Sequence, residues 1–495
     1  MDSLPDELIL EISQHLEPND QGLFALSTSS KRFHHLVLPM YLEAWIDLQG
    51  LSASRDLVLR PHQLDVLAGL QTSLFIHSVK HITCSFSLSS ARPDYSTADM
   101  HRFLRHIKGL AGFLSGLETV DEVTLDFKEL NFWALGEHID VLETWEAIIS
   151  RLLDVVFQKS RTFNILGGMF IVHSSQFQRK IGRRETVQRP SMFHRISSLF
   201  LTKEPVVVES TSKYNLRTFN IHSRVLLLHP CYQWTLSALR TSSITSVSIM
   251  HVDIPQRSWD EILSAIHVPA LEELTMDLRC NVGPAALDRF FARHPRIRIL
   301  NLGRNLLPLG EDDSPLDPKC LPNLIELSAS ATYVRFLMMD KRSPAVRSLR
   351  LLVKVTPGVN FDATQLNQIL APCSSRLKAP LHITVAITVD HVSSHWTEFF
   401  PAQTSQKRTR SDSLQYARAL EFVSTCPSDS AVESLARSLP SFPLLESASF
   451  DGCLKPGLDR QSFVSTVKSI CPALQRVTVD GEVLGVVESR VVCLE

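Results

Sequence analysis

Apolar residues near the start of the chain follow the spacing of a helix. In the stretch LPDELILEISQHL, Leu4, Leu8, Ile12 and Leu16 recur every fourth residue, with Ile9 beside them. Side chains three or four positions apart share one side of a helix, so this spacing predicts a short helix with one apolar face. The helix must pack against a partner, because chain ends fray unless they are tied down.

Two further short helices are predicted before residue 45. Asp20 has the side chain of an N-cap for one of them, and the SSK segment at residues 29–31 can cap the other. Their apolar residues are Leu23, Phe24 and Leu26, then Phe33, Leu36 and Val37. Three helices of this length cannot bury a sizeable core alone, so the unit needs a partner or an adjoining domain.

Beyond residue 75 the apolar pattern becomes a repeat. Six copies begin with proline and place a mostly apolar or small residue two, five and seven positions later: PALEELTM from residue 269, PRIRILNL from 295, PNLIELSA from 322, PAVRSLRL from 344, PLLESASF from 443 and PALQRVTV from 472. Versions without the proline begin at Val79, Val120, Leu216, Ile244 and Ala417, and weaker candidates lie near Phe163 and His382. Neighbouring copies in the regular parts are 22 to 29 residues apart.

Each copy alternates apolar and polar residues, which predicts a strand with one buried side. The segments between copies have helical spacing, for example SWDEILSAIH and PAALDRFFARH. A strand–helix unit buries its apolar face by stacking on its neighbours, so the predicted fold is an α/β repeat that forms a curved solenoid. The L-x-x-L-x-L pattern at this period resembles leucine-rich repeats, and Asn305 stands where that repeat carries asparagine. An ordinary α/β domain stays open as the alternative.

Residues 1–45 resemble an F-box. The features that carry the resemblance are Leu4-Pro5 with Glu7, the Ile9, Ile12 and Leu16 stripe, Pro18, Asp20, Leu26-Ser27, the run from Ser30 to Phe33, and Pro39-Met40-Tyr41, an ending common in fungal members. The resemblance implies docking on a Skp-type adaptor, which joins the chain to the cullin and RING subunits of an SCF ubiquitin ligase. The residues that it implies for adaptor binding are Leu4, Pro5, Glu7, Leu8, Ile9, Ile12, Leu16, Leu26, Lys31 and Phe33. The alternative is that the first helix only packs on the rest of its own chain.

These patterns predict three parts of the chain. They are an F-box at residues 1–45, a helical linker or N-terminal cap at 46–75, and a leucine-rich-repeat-like solenoid at 76–495. Longer intervals between copies predict insertions near 175–212 and 401–413. The first insertion contains a basic stretch from Arg179 to Arg195, which is either a nuclear-import or acidic-partner patch or a solvated loop.

Composition and charge exclude several classes of protein. Apolar residues make up 44% and charged residues 21% of the chain, as in folded proteins, and the formal net charge of −2 offers no basic field for nucleic acid or an anionic membrane. The nine cysteines are scattered and contain no C-x-x-C pair, so neither a zinc knuckle nor a disulfide framework is predicted. The first residues are acidic rather than basic, and no apolar run reaches the roughly 20 residues of a membrane span. We therefore expect a cytoplasmic or nuclear protein.

The sequence carries no motif typical of catalysis. A G-x-S-x-G elbow, a P-loop and a G-x-G-x-x-G fingerprint are all missing. His391 and His395 are four residues apart, as in a helical metal pair, but VSS lies between them and supplies no glutamate base, so an ordinary surface pair is favoured. We expect no enzyme activity, no cofactor and no metal.

Target binding is predicted on the concave face of the solenoid, where residues beside the last apolar positions of each strand project. The residues selected are Asn220, Ser248, Glu273, Thr275, Asp277, Asn301, Glu326, Arg350, Arg476 and Asp480. Their mixed charge, without an aromatic stripe, favours a protein target over nucleic acid. The predicted function is a non-catalytic substrate receptor of an SCF ligase. The alternatives are an F-box protein that acts outside ubiquitin ligation and a repeat scaffold capped by its first helices.

Overall fold

A computed structural model describes most of the chain. The residues described are 4–16, 21–87, 97–131, 139–169, 215–227, 231–277, 280, 282–303, 320–338, 346–355, 367–368, 370–371, 382–389, 416–424, 439, 442–452, 459–471 and 474–486. The predicted insertions near 175–212 and 401–413, the pair His391 and His395, and Asn305 lie outside the described residues.

Three short helices come first, and further helices alternate with strands after them. The helices are α1 Asp6–Gln14, α2 Gln21–Ser27, α3 Lys31–Glu43, α4 Leu48–Ser54, α5 Leu67–Thr72, α6 Thr97–Gly116, α7 Ile139–Lys159, α8 Cys231–Thr241, α9 Gln256–Ala265, α10 Pro284–Arg293, α11 Ala331–Met338 and α12 Arg460–Ile470, with 3₁₀ turns at Pro61–Val66 and Arg224–Leu227. The strands are β1 Asp56–Leu59, β2 His81–Ser85, β3 Val120–Asn131, β4 Ser160–Met169, β5 Thr218–His222, β6 Ser246–Met250, β7 Glu273–Asp277, β8 Ile299–Leu302, β9 Glu326–Ser330, β10 Ser348–Val355, β11 His382–Val389, β12 Ala419–Ser424, β13 Ser447–Asp451, β14 Arg476–Val479 and β15 Glu482–Val486.

The chain divides into two compact units. Unit 1 comprises residues 1–252 with 266–270, and unit 2 comprises residues 253–265 with 271–495. In unit 1, strands β1 to β6 lie side by side in chain order and pair in parallel. In unit 2, β7 to β14 do the same, and β15 pairs with β14 in the antiparallel direction. Parallel strands joined by helices in each unit confirm the predicted α/β repeat.

The buried side of each strand carries the core, and the same positions recur from strand to strand. In unit 1, Phe163 and Phe219 are register partners, and their rings stack with centroids 5.4 Å apart. In unit 2, Phe422 and Phe450 are register partners in the same way, with centroids 5.6 Å apart. Stacking of equivalent side chains lets each unit bury a face that a single strand–helix pair leaves open.

The segment 46–75, predicted as helical, also contains strand β1. Its residues alternate between exposed and buried positions, with Leu57 and Leu59 inside, so it behaves as a strand rather than as part of a helix. Pairing with β2 in parallel makes β1 the first strand of unit 1.

Gly167 gives a test of the backbone conformation near the end of β4. Its φ of +66° is a conformation that residues with a side chain rarely adopt, and an added Cβ would lie 2.5 Å from the Cα of Lys128. We expect Gly167→Ala to lower the free energy of unfolding by about 1–3 kcal/mol, measured by urea unfolding. Gly116→Ala is the matched control, because nothing lies within 4 Å of the added Cβ there. Equal stability of the two variants would contradict the expectation.

Candidate functional site

Helix α1 has one apolar side that faces solvent and one that is buried. Leu8 is 44% exposed and Ile12 is 53% exposed, whereas Ile9 and Ser13 are 2% and 1% exposed. Leu8 and Ile12 are four residues apart and therefore lie next to each other on the same side of the helix. This exposed pair is here called the α1 stripe. Its two large aliphatic side chains face solvent, although the other side of the helix is packed.

Contacts with α3 hold α1 in this orientation. Arg32 of α3 donates from Nε to Oδ1 of Asp6 at 2.8 Å and also donates to the carbonyl of Leu4. The hydroxyl of Ser13 donates to the carbonyl of Ile9 at 2.8 Å, which satisfies this buried polar group inside the helix. The α1 stripe therefore points away from a side that is already packed and hydrogen-bonded.

The residues predicted to bind the adaptor fall into three groups by exposure. Pro5, Glu7, Leu8, Ile12 and Lys31 are exposed; Leu4, Leu16 and Leu26 are half-buried; and Ile9 and Phe33 are buried. Ile9 and Phe33 pack inside the free chain, so exposure favours the other eight, and adaptor binding by this set stays a prediction. Ser30 explains the position of Phe33: its hydroxyl accepts from the Phe33 N–H at 3.2 Å and so caps α3 with that residue turned inward.

The three-helix unit packs directly on the segment that follows it. The N–H of Leu74 donates to Nε2 of the buried His34 at 3.1 Å. Gly69 of α5 lies so close to Tyr41 of α3 that an added Cβ would come within 2.8 Å of the tyrosine ring. These contacts fasten α3 to residues 61–75 within unit 1.

A partly exposed cluster of charged groups joins the 3₁₀ turn at Pro61–Val66 to α6. Oδ1 of Asp65 lies 2.8 Å from Nε2 of His106, and Oδ2 accepts from Arg102 at 2.5 Å. Burial would raise the pKa of Asp65, but its hydrogen bonds with His106 and Arg102 outweigh burial and lower that pKa. Burial lowers the pKa of His106, and Asp65 offsets this effect only in part. The same carboxylate and burial raise the pKa of Tyr41.

The lowered pKa values of Asp65 and His106 predict that acid weakens the contact between the 3₁₀ turn and α6. Below the ordinary histidine pKa of about 6.5, the unfolded chain takes up a proton at His106 that the folded chain resists. The free energy of unfolding therefore decreases as the pH decreases. Asp65 acts in the same direction at lower pH: its contribution is present above the unfolded carboxyl pKa of about 3.9 and is lost as pH falls through the lower folded value. We expect His106→Gln to reduce the fall in melting temperature between neutral and mildly acidic pH. An unchanged fall would argue against this origin.

The open face of unit 1, formed by the strand residues that alternate with the buried ones, carries a ladder of polar side chains. Asn164 donates to Oε1 of Glu122 at 2.6 Å and to the hydroxyl of Thr124 at 2.9 Å. Asn220 in turn donates to Oδ1 of Asn164 at 2.6 Å, and Ser248 is its register partner on β6. Asn220 and Ser248 were selected from the sequence; Glu122, Thr124 and Asn164 were not, although the weak repeat copy near Phe163 places Asn164 on this face.

In unit 2 the structure brings five of the predicted target-binding residues together on β7, β8 and β9. They are Glu273, Thr275, Asp277, Asn301 and Glu326. Nδ2 of Asn301 donates to the hydroxyl of Thr275 at 3.2 Å, which orients both side chains. The outward-facing residues described on these three strands include no lysine or arginine, so this part of the open face is acidic.

The remaining predicted residues of unit 2 differ in their availability. Nε of Arg350 donates to Glu421 at 2.9 Å across the intervening strand β11. Asp480 accepts from Arg460 at 3.2 Å and from the N–H of Gly452 at 2.9 Å. Arg350 and Asp480 thus bind other residues of the same chain and have a structural role. Arg476, by contrast, is exposed.

The described residues contain neither a cluster of metal ligands nor a helix that could span a membrane. No group of three or more histidine, cysteine, aspartate or glutamate side chains there is placed to hold a metal ion. Within the same residues, no helix combines the length and apolar character needed to cross a membrane.

Comparison with known proteins gives a family match for the three-helix segment at the start of the chain. The F-box domain family matches residues 1–43. No curated protein matches the chain. Among solved structures, the leucine-rich repeat-containing protein LegL7 from Legionella pneumophila is similar at 15% identity, with 54% of this chain and 85% of that chain covered and a TM-score of 0.33. A likeness this weak carries no weight, and the repeat fold rests on the strand register described above. Residues 1–43 therefore match the F-box domain family, and an α/β repeat of parallel strands joined by helices follows them.

Proposed function

We propose that this protein is the substrate-recognition subunit of an SCF-type E3 ubiquitin ligase. In this proposal the F-box binds a Skp-type adaptor, and through it the cullin and RING subunits, while the repeat units bind a target protein. The observation that carries the proposal is the α1 stripe: an F-box exposes Leu8 and Ile12 on a helix whose opposite side is buried. Exposed apolar side chains on a packed, ordered helix are typical of a surface that a partner covers.

The mechanism in this proposal is proximity rather than chemistry by this chain. F-box proteins are typically receptor subunits, and the groups that make the isopeptide bond belong to other subunits of the ligase. Holding a target on the same complex as the ubiquitin-charged enzyme raises the effective concentration of target lysines near the thioester. We place this activity in the cytoplasm, the nucleus or both.

The open face supports the target-binding half of the proposal. Glu273 and Glu326 lie on β7 and β9 on either side of Ile299, and the three are register partners. Together with Asp277, these carboxylates favour a target segment that carries lysine or arginine. The identity of the target is the question that follows from this surface.

Reconstitution from purified components tests the proposal. The full chain is mixed with a purified Skp-type adaptor and analysed by size-exclusion chromatography, and the complex is then joined to cullin and RING subunits. We expect a stable complex with the adaptor and, once ubiquitin, ATP and the activating and conjugating enzymes are added, ubiquitin transfer to a protein bound to the repeats. Failure to bind the adaptor would favour a scaffold whose first helices only cap the repeats. Adaptor binding without ubiquitin transfer would favour an F-box protein that acts outside ubiquitin ligation.

A further inference from the structure

Strand β1 has a free edge. Within the described residues it pairs only with β2, and the carbonyl of Arg55 accepts from the N–H of Lys80 at 2.7 Å on that side. Backbone groups of alternate residues in a strand point to opposite sides, so Asp56 and Val58 direct theirs away from β2. A free edge of this kind is a template for pairing with another chain.

Nearby side chains accept hydrogen bonds from the backbone N–H groups at the two ends of this edge. The backbone groups at its centre have no such partner in the part of the chain that the structure describes. The hydroxyl of Ser54 accepts from the N–H of Asp56 at 3.1 Å, and Oε1 of Gln63 accepts from the N–H of Arg60 at 3.0 Å. Between these two contacts, the N–H of Val58 and the carbonyls of Asp56 and Val58 have no partner among the described residues. The side chain of Val58 is 57% exposed. One donor and two acceptors are therefore available in the arrangement that a short added strand requires.

A cavity of about 270 Å³ opens beside this edge, between α4 and β1. Trp45, Asp47, Gly50, Ser54, Val58 and Gln63 are among the residues that line it. Drug-sized ligands occupy pockets of about 300–1,000 Å³, so this cavity suits one side chain of a peptide better than a whole cofactor. Nε1 of Trp45 is a buried donor with no hydrogen-bond partner among the described residues.

The charge of the cavity indicates which side chain it takes. The charged residues that line it are Asp47 and Asp56, whereas Arg55 and Arg60 flank the strand without lining the cavity. Oδ1 of Asp47 accepts from the N–H of Gly50 at 2.8 Å, and Oδ1 of Asp56 lies 2.6 Å from Nδ1 of His81. Each carboxylate keeps a second oxygen. An acidic lining with an indole ring suits a cation.

We propose that the β1 edge binds an extended segment of a partner protein that carries a lysine or arginine. The segment adds to the sheet beside β1 through the backbone groups of Asp56 and Val58, and its cationic side chain enters the cavity between Trp45 and Asp47. This is recognition by β-strand addition, in which backbone hydrogen bonds give affinity and a side-chain pocket gives specificity. The site does not depend on adaptor binding.

Peptide binding to the full chain tests the proposal. The probes are two pools of fluorescently labelled, capped pentapeptides with valine, isoleucine, threonine or tyrosine at the outer positions, one with central arginine and one with central glutamate. Fluorescence anisotropy is expected to show that the arginine pool binds at least about tenfold more tightly, since a bound charge pair is replaced by repulsion. Hydrogen exchange is expected to slow in residues 45–63 with the arginine pool. Absence of binding, or equal binding of the two pools, would overturn the proposal.

Three variants locate the binding site. Val58→Pro removes the outward N–H and is expected to weaken binding up to about tenfold, whereas Val58→Thr keeps that N–H and is expected to bind as the wild type does. Asp47→Asn keeps the cap of α4 but removes the charge, so it is expected to weaken binding of the arginine pool alone. If Val58→Pro fails to fold, as judged by circular dichroism, Asp47→Asn decides the outcome together with peptides N-methylated at alternate amides. A folded Val58→Pro and an Asp47→Asn variant that both bind as the wild type does would refute the site.

Discussion

Leu8→Asp combined with Ile12→Asp is expected to abolish binding of a Skp-type adaptor while the protein stays folded. The two side chains are 44% and 53% exposed in the free chain, so aspartate there remains solvated and the F-box keeps its core. In a complex, the same carboxylates would lie in a desolvated apolar interface, where an unpaired charge costs several kcal/mol. That cost corresponds to a loss of affinity of at least about 100-fold. Biolayer interferometry with immobilised adaptor measures it, and circular dichroism checks the fold.

Leu444→Asp is the matched control for this variant. Leu444 is another exposed leucine, 53% accessible, but it lies in unit 2 outside the F-box. We expect it to bind the adaptor with wild-type affinity. Ile9 is unsuitable as a test position, because it is 2% exposed and its replacement would damage the F-box itself. If the double variant retains adaptor binding, the α1 stripe is not the docking surface.

Phe157→Ala is expected to cause the largest loss of stability among single substitutions in unit 1. Phe157 on α7 is fully buried, and its ring centroid lies 4.8 Å from that of Trp234 on α8 and 5.2 Å from that of Phe219 on β5. One side chain thus joins neighbouring strand–helix repeats. Removing a buried phenylalanine from such a cluster costs about 3–5 kcal/mol, through lost burial and the cavity left behind. The midpoint and slope of urea unfolding measure this change.

Phe75→Ala controls for the loss of an aromatic ring. Phe75 is 37% exposed and contacts His34 with ring centroids 6.3 Å apart, so little apolar surface leaves a buried position when it is truncated. We expect a cost below about 1 kcal/mol. Similar losses in the two variants would show that the ring cluster around Phe157 does not join the repeats as described.

The strand positions of the repeat could be predicted from the sequence because each copy carries its own signal. The six proline-led copies, the five without proline and the two weak candidates near Phe163 and His382 all coincide with strands. The two strands missed, β1 and β15, lack the spacing of the repeat. β15 follows a tight turn in which Asp480 and Gly481 both have positive φ, and the Asp-Gly pair was the available sign of a hairpin.

The candidate site was less accessible to sequence reasoning, because periodicity shows that a helix is amphipathic but not which neighbours cover it. Leu8, Ile9 and Ile12 all fit one broad apolar stripe, and packing of α1 on α3 decides that Ile9 is buried. Contacts between residues distant in sequence could not be predicted either. Arg350 reaches Glu421, 71 residues away, and such a pair leaves no local pattern. The cavity beside β1 arises in the same way, from residues that meet only when α4 and the strand edge come together.

The fastening of α3 to residues 61–75 bears on which lysines of a target could be modified. The hydrogen bond between His34 and Leu74 and the close approach of Tyr41 to Gly69 leave no flexible tether between the F-box and the first strands. A target protein bound to unit 1 would then stay at a fixed distance from the adaptor. The position of a lysine on the bound target would then decide whether that lysine is modified. In the proposed function, substitutions at His34 and Gly69 that loosen the packing of α3 on residues 61–75 would widen the set of modified lysines.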